Sequence, residues 1–278
     1  MSNKPQFSII LPTYNRAYLL WKSILSVVKQ SYPYWELILV DDGSTDDSYK
    51  LVKEFKDCRI KYHYQKNGGP CIARNTGLGY AKGDWICYLD NDNEYREDYL
   101  YYLNEHLLHV KSAKFGFPNQ NVRWELYDSK GDLLKYAEES SSFGDKINLK
   151  DIVNRTKRFD TNGMFHVRKA VIKWQKVVKY MHDWELLLQL ANLYPNGFIH
   201  IPLSLVKYFS RYGRDGMCAN ASYKEWQNDY IQIHKLHKAS KHRPSDNWFE
   251  KKIKKYNDLI KTSDGKDAES RAQKIFNL

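Results

Sequence analysis

Through the first hundred positions, short unbroken apolar runs alternate with stripes of apolar residues at helical spacing. Phe7-Ser8-Ile9-Ile10-Leu11 is one run, closed by Pro12, and Leu37-Ile38-Leu39-Val40 is another, closed by Asp41-Asp42-Gly43-Ser44-Thr45. Runs this short, bounded by turn residues, predict buried strands. Arg59 to Tyr64 predicts a third strand and Trp85-Ile86-Cys87-Tyr88-Leu89 a fourth. Between the first two, Leu20, Ile24, Val27 and Val28 trace one side of a helix over about residues 17–30. A second helix is predicted over about 46–55, with Tyr49, Val52 and Phe55 on one face, and a third over about 72–81, ended by Gly83.

Strands and helices in that alternation build a parallel sheet covered by helices. Ligands on such sheets sit beyond the carboxyl ends of the strands. Thr13-Tyr14-Asn15, Asp41-Asp42 and Asp90-Asn91-Asp92 should therefore face one crevice. Two carboxylates one residue apart, on chain that has just left a strand, can converge on a hard divalent cation or a ribose. Magnesium and manganese typically take one or two such carboxylates together with substrate phosphates. Asp and Asn are also the commonest turn formers, so this stretch gains meaning only from its surroundings. No Gly-x-Gly-x-x-Gly follows the first strand and no Gly-Lys-Ser/Thr loop occurs, which removes the dinucleotide-oxidoreductase and P-loop classes. Acids and an aromatic ring in their place suit a metal bridging protein and phosphates.

The pattern weakens between about Ser112 and Asp160, where Lys114 to Pro118 reads as a strand and Val122 to Asp132 as a hairpin. Met164 to Val167 predicts a short strand, and Trp184 to Leu193 a helix with Leu187, Leu188 and Ala191 on its apolar side. Asp183 stands at the start of that helix, where a carboxylate can cap free amides. Beyond about Ala221 the chain turns basic, with 13 Lys or Arg against eight Asp or Glu in its last 58 residues. Trp226, Tyr230 and Ile233 share one helical face; Trp248, Phe249, Ile253, Tyr256 and Ile260 share another. Such a basic aromatic helix can make peripheral contact with an anionic membrane. Packing of its aromatic face on the domain is the preferred reading.

Composition narrows the classes. With 278 residues, 42% of them hydrophobic, the chain can bury a substantial core and is not disordered. No apolar run approaches the ~20 residues that span a bilayer. The amino terminus runs straight into a strand too short for a signal peptide's apolar region, and four cysteines lack pairing or metal spacing. Both features lead us to expect a cytoplasmic protein with free, buried thiols. The net charge of +11 admits phosphorylated substrates and acidic lipid surfaces. No zinc finger, RNA-recognition motif or repeated basic-aromatic pattern supports nucleic-acid binding.

Taken in order, several segments resemble family 2 glycosyltransferases of the GT-A fold. They are Phe7 to Arg16, Leu39 to Asp46, Asn67-Gly68-Gly69-Pro70, Ala73 to Leu78 and Gly83-Asp84-Trp85-Ile86. Asp90-Asn91-Asp92 stands where that family has its Asp-x-Asp element, and His182-Asp183-Trp184-Glu185-Leu186 resembles its later acidic segment. The likeness covers about residues 5–215. It implies an α/β GT-A fold, a Rossmann-like mixed sheet flanked by helices, to which this chain adds a helical C-terminal extension without a counterpart in the family. It further implies a GT-A domain over 1–220, divided into a nucleotide-sugar half (1–112) and an acceptor half (113–220), which leaves 221–278 as the extension.

The resemblance implies roles for individual residues. Pro12, Thr13, Tyr14, Asp42, Arg74, Asp90 and Asn91 would bind the donor nucleotide, with Tyr14 against the base and Thr13 and Asp42 on its polar edge. Asp92 would ligate Mn²⁺ or Mg²⁺ on the diphosphate. Arg211 and Arg214, beside a Gly-rich stretch, would close a lid over that diphosphate. Asp183 would be the general base. The implied reaction is metal-dependent transfer of a hexosyl or N-acetylhexosaminyl group, with inversion, from a donor of the UDP-sugar type. Its acceptor would be a glycan or lipid-linked hydroxyl in cell-surface polysaccharide synthesis, reached in the cytoplasm or at the inner face of the membrane. Alternatives are a nucleotidyltransferase, which would want a Gly-rich loop near the first strand, and a non-catalytic sugar-nucleotide or glycan binder. A dead copy would be expected to lose Asp92 or Asp183, and both are present. Three departures from the family stand out: His182 in place of an acid, Asn93 in place of a frequent third acid, and no Gly-x-Phe-Asp loop between Arg168 and Asp183.

Overall fold

In strand β1 (Phe7–Thr13), Phe7, Ile9 and Leu11 enter one core layer while Ile10 enters the other. Strand β2 (Trp35–Asp41) divides the same way, with Leu37 and Leu39 on one side and Ile38 and Val40 on the other. A strand buried on both faces needs apolar residues at every position, which is why these segments read as unbroken runs. The computed structural model describes residues 4–128, 130–141, 147–156, 160–212 and 221–262. Within them, β3 (Ile60–Tyr64) and β4 (Trp85–Tyr88) complete a parallel group in the order β3-β2-β1-β4.

Helices cover both faces. On one side, α1 (Ala17–Val28) buries Leu20, Ile24 and Val27, and α4 (Tyr99–His109) buries Tyr99, Leu100, Leu103 and Leu107. The short α2 (Ser48–Glu54) contributes Val52, but Tyr49 is not on the buried face as predicted; it is 48% exposed and tilted against Tyr62. On the other side lie α3 (Pro70–Tyr80), α6 (His182–Leu193), α7 (Tyr223–Leu236) and α8 (Asp246–Thr262), beside the short α5 (Leu149–Val153). The C-terminal aromatic stripes face inward: Tyr230, Ile233 and Phe249 are buried with Trp184, and Trp248, Ile253 and Tyr256 pack on them. The extension therefore packs on the domain, as preferred from its sequence. No described helix is long and apolar enough to cross a membrane.

Beyond β4 the sheet turns mixed. β8 (Phe165–Val167) runs antiparallel to β4 and to the first residues of β6 (Phe115–Tyr127). β6 then continues as a long arm, antiparallel to β7 (Leu133–Ser141) and parallel to β9 (Phe198–Tyr212), and β5 (Glu94–Tyr95) edges β9. The full order is β3-β2-β1-β4-β8-β6-β9-β5, with β7 on β6. The predicted strand at 114–118 is thus the start of a 13-residue strand, and in place of a hairpin within 122–132 residues 120–127 pair with 133–141. Register shifts at Pro118, Asn119 and Gln120 break the period-two alternation that would have marked both β6 and β9. Cys71 and Cys87 are the buried free thiols expected; Cys58 is exposed, and Cys218 lies outside the described residues.

Gly77 sets the approach of α3 to the sheet. A Cβ there would lie 2.6 Å from Cγ2 of Ile10 on β1. Glycine ordinarily costs a helix about 1 kcal/mol relative to alanine. At this contact the order should reverse. Gly77→Ala is expected to destabilise the protein by about 1–3 kcal/mol in urea unfolding, the range for overpacking. A neutral or stabilised variant would show that the two elements separate freely.

Candidate active site

The carboxyl ends of β1, β2 and β4 open into a cleft of about 430 Å³. Pro12, Thr13, Tyr14, Asp42, Arg74, Asp90, Asn91, Asp92, Asp183 and Arg211 all line it. Of the residues picked from sequence only Arg214 is missing from that wall; it lies outside the described residues, with the Gly-rich stretch that follows Tyr212. Arg16, Asp160, Tyr180 and His182 also line the cleft, and sequence reasoning gave them no role there.

On the β1–β2 side, Thr13 Oγ1 accepts from Asn91 Nδ2 at 2.9 Å, a buried bridge between the ends of β1 and β4. The Tyr14 side chain stands free at 48% exposure, a flat surface open to a ring. Asp42 does local work first. Its carboxylate accepts from Gly68 N at 2.9 Å, Gly69 N at 2.7 Å and Gln65 Nε2 at 2.6 Å, wrapping residues 65–69 around it. Gly69 makes that turn at φ +87, a left-handed conformation that favours glycine, immediately before Pro70 starts α3. A carboxylate has about four acceptor positions, so Asp42 keeps one for a ligand.

Arg74, on the second turn of α3, is the centre of the deeper wall. It is only 3% exposed, lies 4.6 Å over the Trp174 ring, and pairs with Asp90 Oδ1 at 2.6 Å. Its other terminal nitrogen is 3.0 Å from His182 Nε2. Burial, and then the Arg74 charge, push the His182 imidazole down to about 3. It is therefore neutral, with Nδ1–H donating to the Lys179 carbonyl at 3.2 Å and Nε2 accepting from Arg74. Burial would raise the Asp90 carboxyl, but the Arg74 charge and hydrogen bond outweigh it and hold that group below its usual value. Asn162 completes the frame, its Oδ1 accepting from Asp90 N at 2.6 Å and its Nδ2 donating to Asp90 Oδ2 at 3.2 Å.

Asp92 is held between two arginines. Its Oδ2 lies 3.1 Å from Arg16 and 3.3 Å from Arg211. Arg211 is not on a loop, as the lid expectation required. It is a residue of β9, 7% exposed in its side chain, with Nε 3.3 Å from Glu125 on β6. Asn93 is an organiser: it donates to Asp92 Oδ1 at 2.6 Å and accepts from Phe209 N at 2.7 Å, tying the end of β4 to β9.

Two further acids, Asp160 and Asp183, line the same cleft. Asp183 is the second residue of α6 and accepts from Trp184 N at 2.7 Å, so it caps an amide from within the first turn. Burial raises its carboxyl, partly offset by Arg155. Asp160 is pushed up to about 8 by burial and by the charges of Asp90 and Asp183. No cluster of three or more His, Cys, Asp or Glu among the described residues could hold a metal alone. Asp92 offers a single hard carboxylate that already attracts cations, which fits a divalent ion only if phosphate oxygens complete its shell.

Comparison with known proteins shows family and fold. The sequence profile of Glycosyl transferase family 2 matches residues 8–173. The UDP-Glc:alpha-D-GlcNAc-diphosphoundecaprenol beta-1,3-glucosyltransferase WfgD of Escherichia coli is 47% identical over 89 residues, 31% of this chain and 34% of that protein. Among solved structures, S. aureus TarS 1-349 in complex with UDP-GlcNAc superposes with a TM-score of 0.67 at 17% identity, over 94% of this chain and 75% of that one. The mannosyltransferase PcManGT from Pyrobaculum calidifontis, in complex with GDP-Man and Mn²⁺, superposes with a TM-score of 0.62 at 16% identity, over 97% and 73%. These structural likenesses show the GT-A fold. The chain spans 40%, 52% and 58% of the length of three of its curated relatives, and less of others.

The acid cluster has a consequence for stability. Folded, Asp160 keeps its proton up to about 8, whereas in the unfolded chain it releases it near 3.8. Between those values the folded state binds the extra proton, so stability falls as pH rises through the window. Asp160→Asn removes that fall. Relative to the wild type it should gain more than about 1.4 kcal/mol between about pH 5 and about pH 8, the worth of one pKa unit. Urea unfolding at each pH measures this, and a difference that stays flat would put the proton elsewhere.

Proposed function

The chain belongs to Glycosyl transferase family 2, and we propose that it is a metal-dependent, inverting transferase. It would move a hexosyl or N-acetylhexosaminyl group from a UDP-sugar to a glycan or lipid-linked hydroxyl in cell-surface polysaccharide synthesis. The observation that carries this reading is the placement of Asp183, a carboxylate raised by burial, in the same cleft as Asp90 and Asp92. A general base works best with its pKa raised toward the working pH.

In this reading Tyr14 lies against the base and Asp42 accepts from a ring N–H, a charge-assisted bond that suits uracil. Asp90 and Asn91 hold the ribose side, with Thr13 fixing Asn91 and Arg74 fixing Asp90. Asp92 holds Mn²⁺ or Mg²⁺ together with the diphosphate, and the ion would stabilise the charge of the departing nucleoside diphosphate. Arg211 offers a guanidinium to the same phosphates, a geometry it matches bidentately. Arg214 is proposed to join it. The acceptor oxygen attacks the anomeric carbon and passes its proton to Asp183, while the bond to the diphosphate breaks with its electron pair. An α-linked donor then yields a β-linkage.

Residues 1–112 would serve the donor and 113–220 the acceptor, with 221–278 as the extension. UDP is favoured by Asp42 and by the UDP donor named for the E. coli relative. That relative's diphosphoundecaprenol-linked acceptor supports a lipid-linked substrate, which would bring this enzyme to the inner face of the membrane. The manganese bound in the Pyrobaculum neighbour supports the metal.

Binding and turnover of UDP-, GDP- and dTDP-sugars with Mn²⁺ test the proposal. The wild type should bind one donor in a metal-dependent way, and Asp92→Ala should lose it. Asp183→Asn should keep donor affinity while kcat falls by about 10²–10⁴, the range for losing a general base. Absence of donor binding with and without metal, or a product of retained configuration, would overturn it.

A further inference from the structure

The C-terminal extension has no role in the chemistry above, yet α7 makes a buried polar contact with the chain leading to Asp183. Asp229, fully buried on α7, accepts three consecutive amides: Lys179 N at 2.9 Å, Tyr180 N at 2.6 Å and Met181 N at 2.9 Å. One turn earlier Glu225 accepts from the Tyr180 hydroxyl at 2.7 Å and from Lys179 Nζ at 2.8 Å. Just past the end of α7, His237 Nε2 lies 3.0 Å from Glu185 Oε1, both nearly fully buried.

Three amides on one carboxylate leave residues 179–181 little freedom, and the next two residues are His182 and Asp183. The Lys179 peptide is gripped from both sides, its N–H by Asp229 and its carbonyl by His182 Nδ1. His182 continues to Arg74, and Arg74 to Asp90. Without Asp229 three amides in a buried segment would lack their acceptor, a cost that movement of the segment would relieve.

We propose that Asp229 is a positioning residue: it sets where Asp183 stands in the cleft and where Tyr180 walls it. The proposal rests on Asp183 as the base. Asp229→Asn presents an amide nitrogen to at least one N–H donor and should loosen the segment while leaving the Tyr14 and Asp42 side of the donor pocket alone.

The test uses the full chain. In Asp229→Asn, kcat for sugar transfer should fall about tenfold or more, since a displacement of about 1 Å can cost a hundredfold. Donor KM should stay within about twofold of the wild type, because Tyr14 and Asp42 are untouched. In an Asp183→Asn background the same change should add little further loss, as expected when one residue acts through the other. Ile233→Val, fully buried on the same helix, controls for simple destabilisation: it should lower Tm and spare kcat. Amide exchange at residues 179–183 should quicken in Asp229→Asn, and this readout needs no activity. If Asp229→Asn does not fold, Asp229→Glu, which keeps the acceptor but displaces it by a methylene, carries the same comparison. Unchanged kcat, a donor KM that worsens in step with kcat, full additivity with Asp183→Asn, or unchanged exchange would each overturn the proposal. Failure of the parent reading has a different mark, a wild type without transfer or an Asp183→Asn variant that keeps full activity.

Discussion

A guanidinium that is 3% exposed must be paired, and the organisation of this cleft follows from how Arg74 is paired. An unpaired buried charge costs several kcal/mol, so Asp90, His182 and the Trp174 face form one structural unit with it. That unit joins α3, the end of β4, the start of α6 and the chain before it. Gly77 contributes from beneath, since the close seat of α3 on β1 brings Arg74 to the strand ends. A neutral histidine at position 182 fits this account better than an acid would. A second carboxylate on Arg74 would neutralise it twice over, whereas a neutral imidazole satisfies one terminal nitrogen and leaves the charge to Asp90.

The same electrostatics sorts the acids of the cleft. Asp90 has the Arg74 charge in contact and stays low; Asp160 and Asp183 lack one in contact among the described residues, are partly buried and are raised by desolvation. Asp92 has two guanidiniums, from Arg16 and Arg211. A nucleoside diphosphate with its cation would supply Asp92 with a new partner and both arginines with phosphate oxygens. Exchange of partners of like charge costs little, so such a site can be assembled before its ligand arrives and keep its shape when the ligand binds.

How much of this was legible follows from how local each feature is. The parallel strands, the helices between them and the three converging strand ends could be read because each is encoded within ten or so consecutive residues, such as Leu37 to Thr45. The long arm of β6 and β9 could not, because its bulges interrupt the alternation and its partners are far apart in sequence. Helix α4 was not expected from the sequence, although its stripe of Tyr99, Leu100, Leu103 and Leu107 is equally local. Asp160 left no signal, since an isolated acid in a polar stretch looks like a loop residue until the chain is folded around it. Arg16 carries no local mark of its role, because its partner Asp92 lies 76 residues away.

In the proposed reading, the division between donor and acceptor sides has a physical origin. The proposed donor contacts come from strand ends whose positions are set by the parallel ladder, so the sheet that makes the core also makes the cleft. The proposed acceptor wall is a segment, 160–183, with little regular structure before α6, and such a segment needs outside partners to hold still. Those partners are supplied from α7, 48 to 50 residues further on in the case of Asp229. An acceptor wall braced by a separate helix can change its shape through that helix without disturbing the ladder beneath the donor. The basic, aromatic character of the C-terminal helices then has a division of labour of its own, with rings turned into the core and carboxylates on α7 turned toward the segment that carries Asp183.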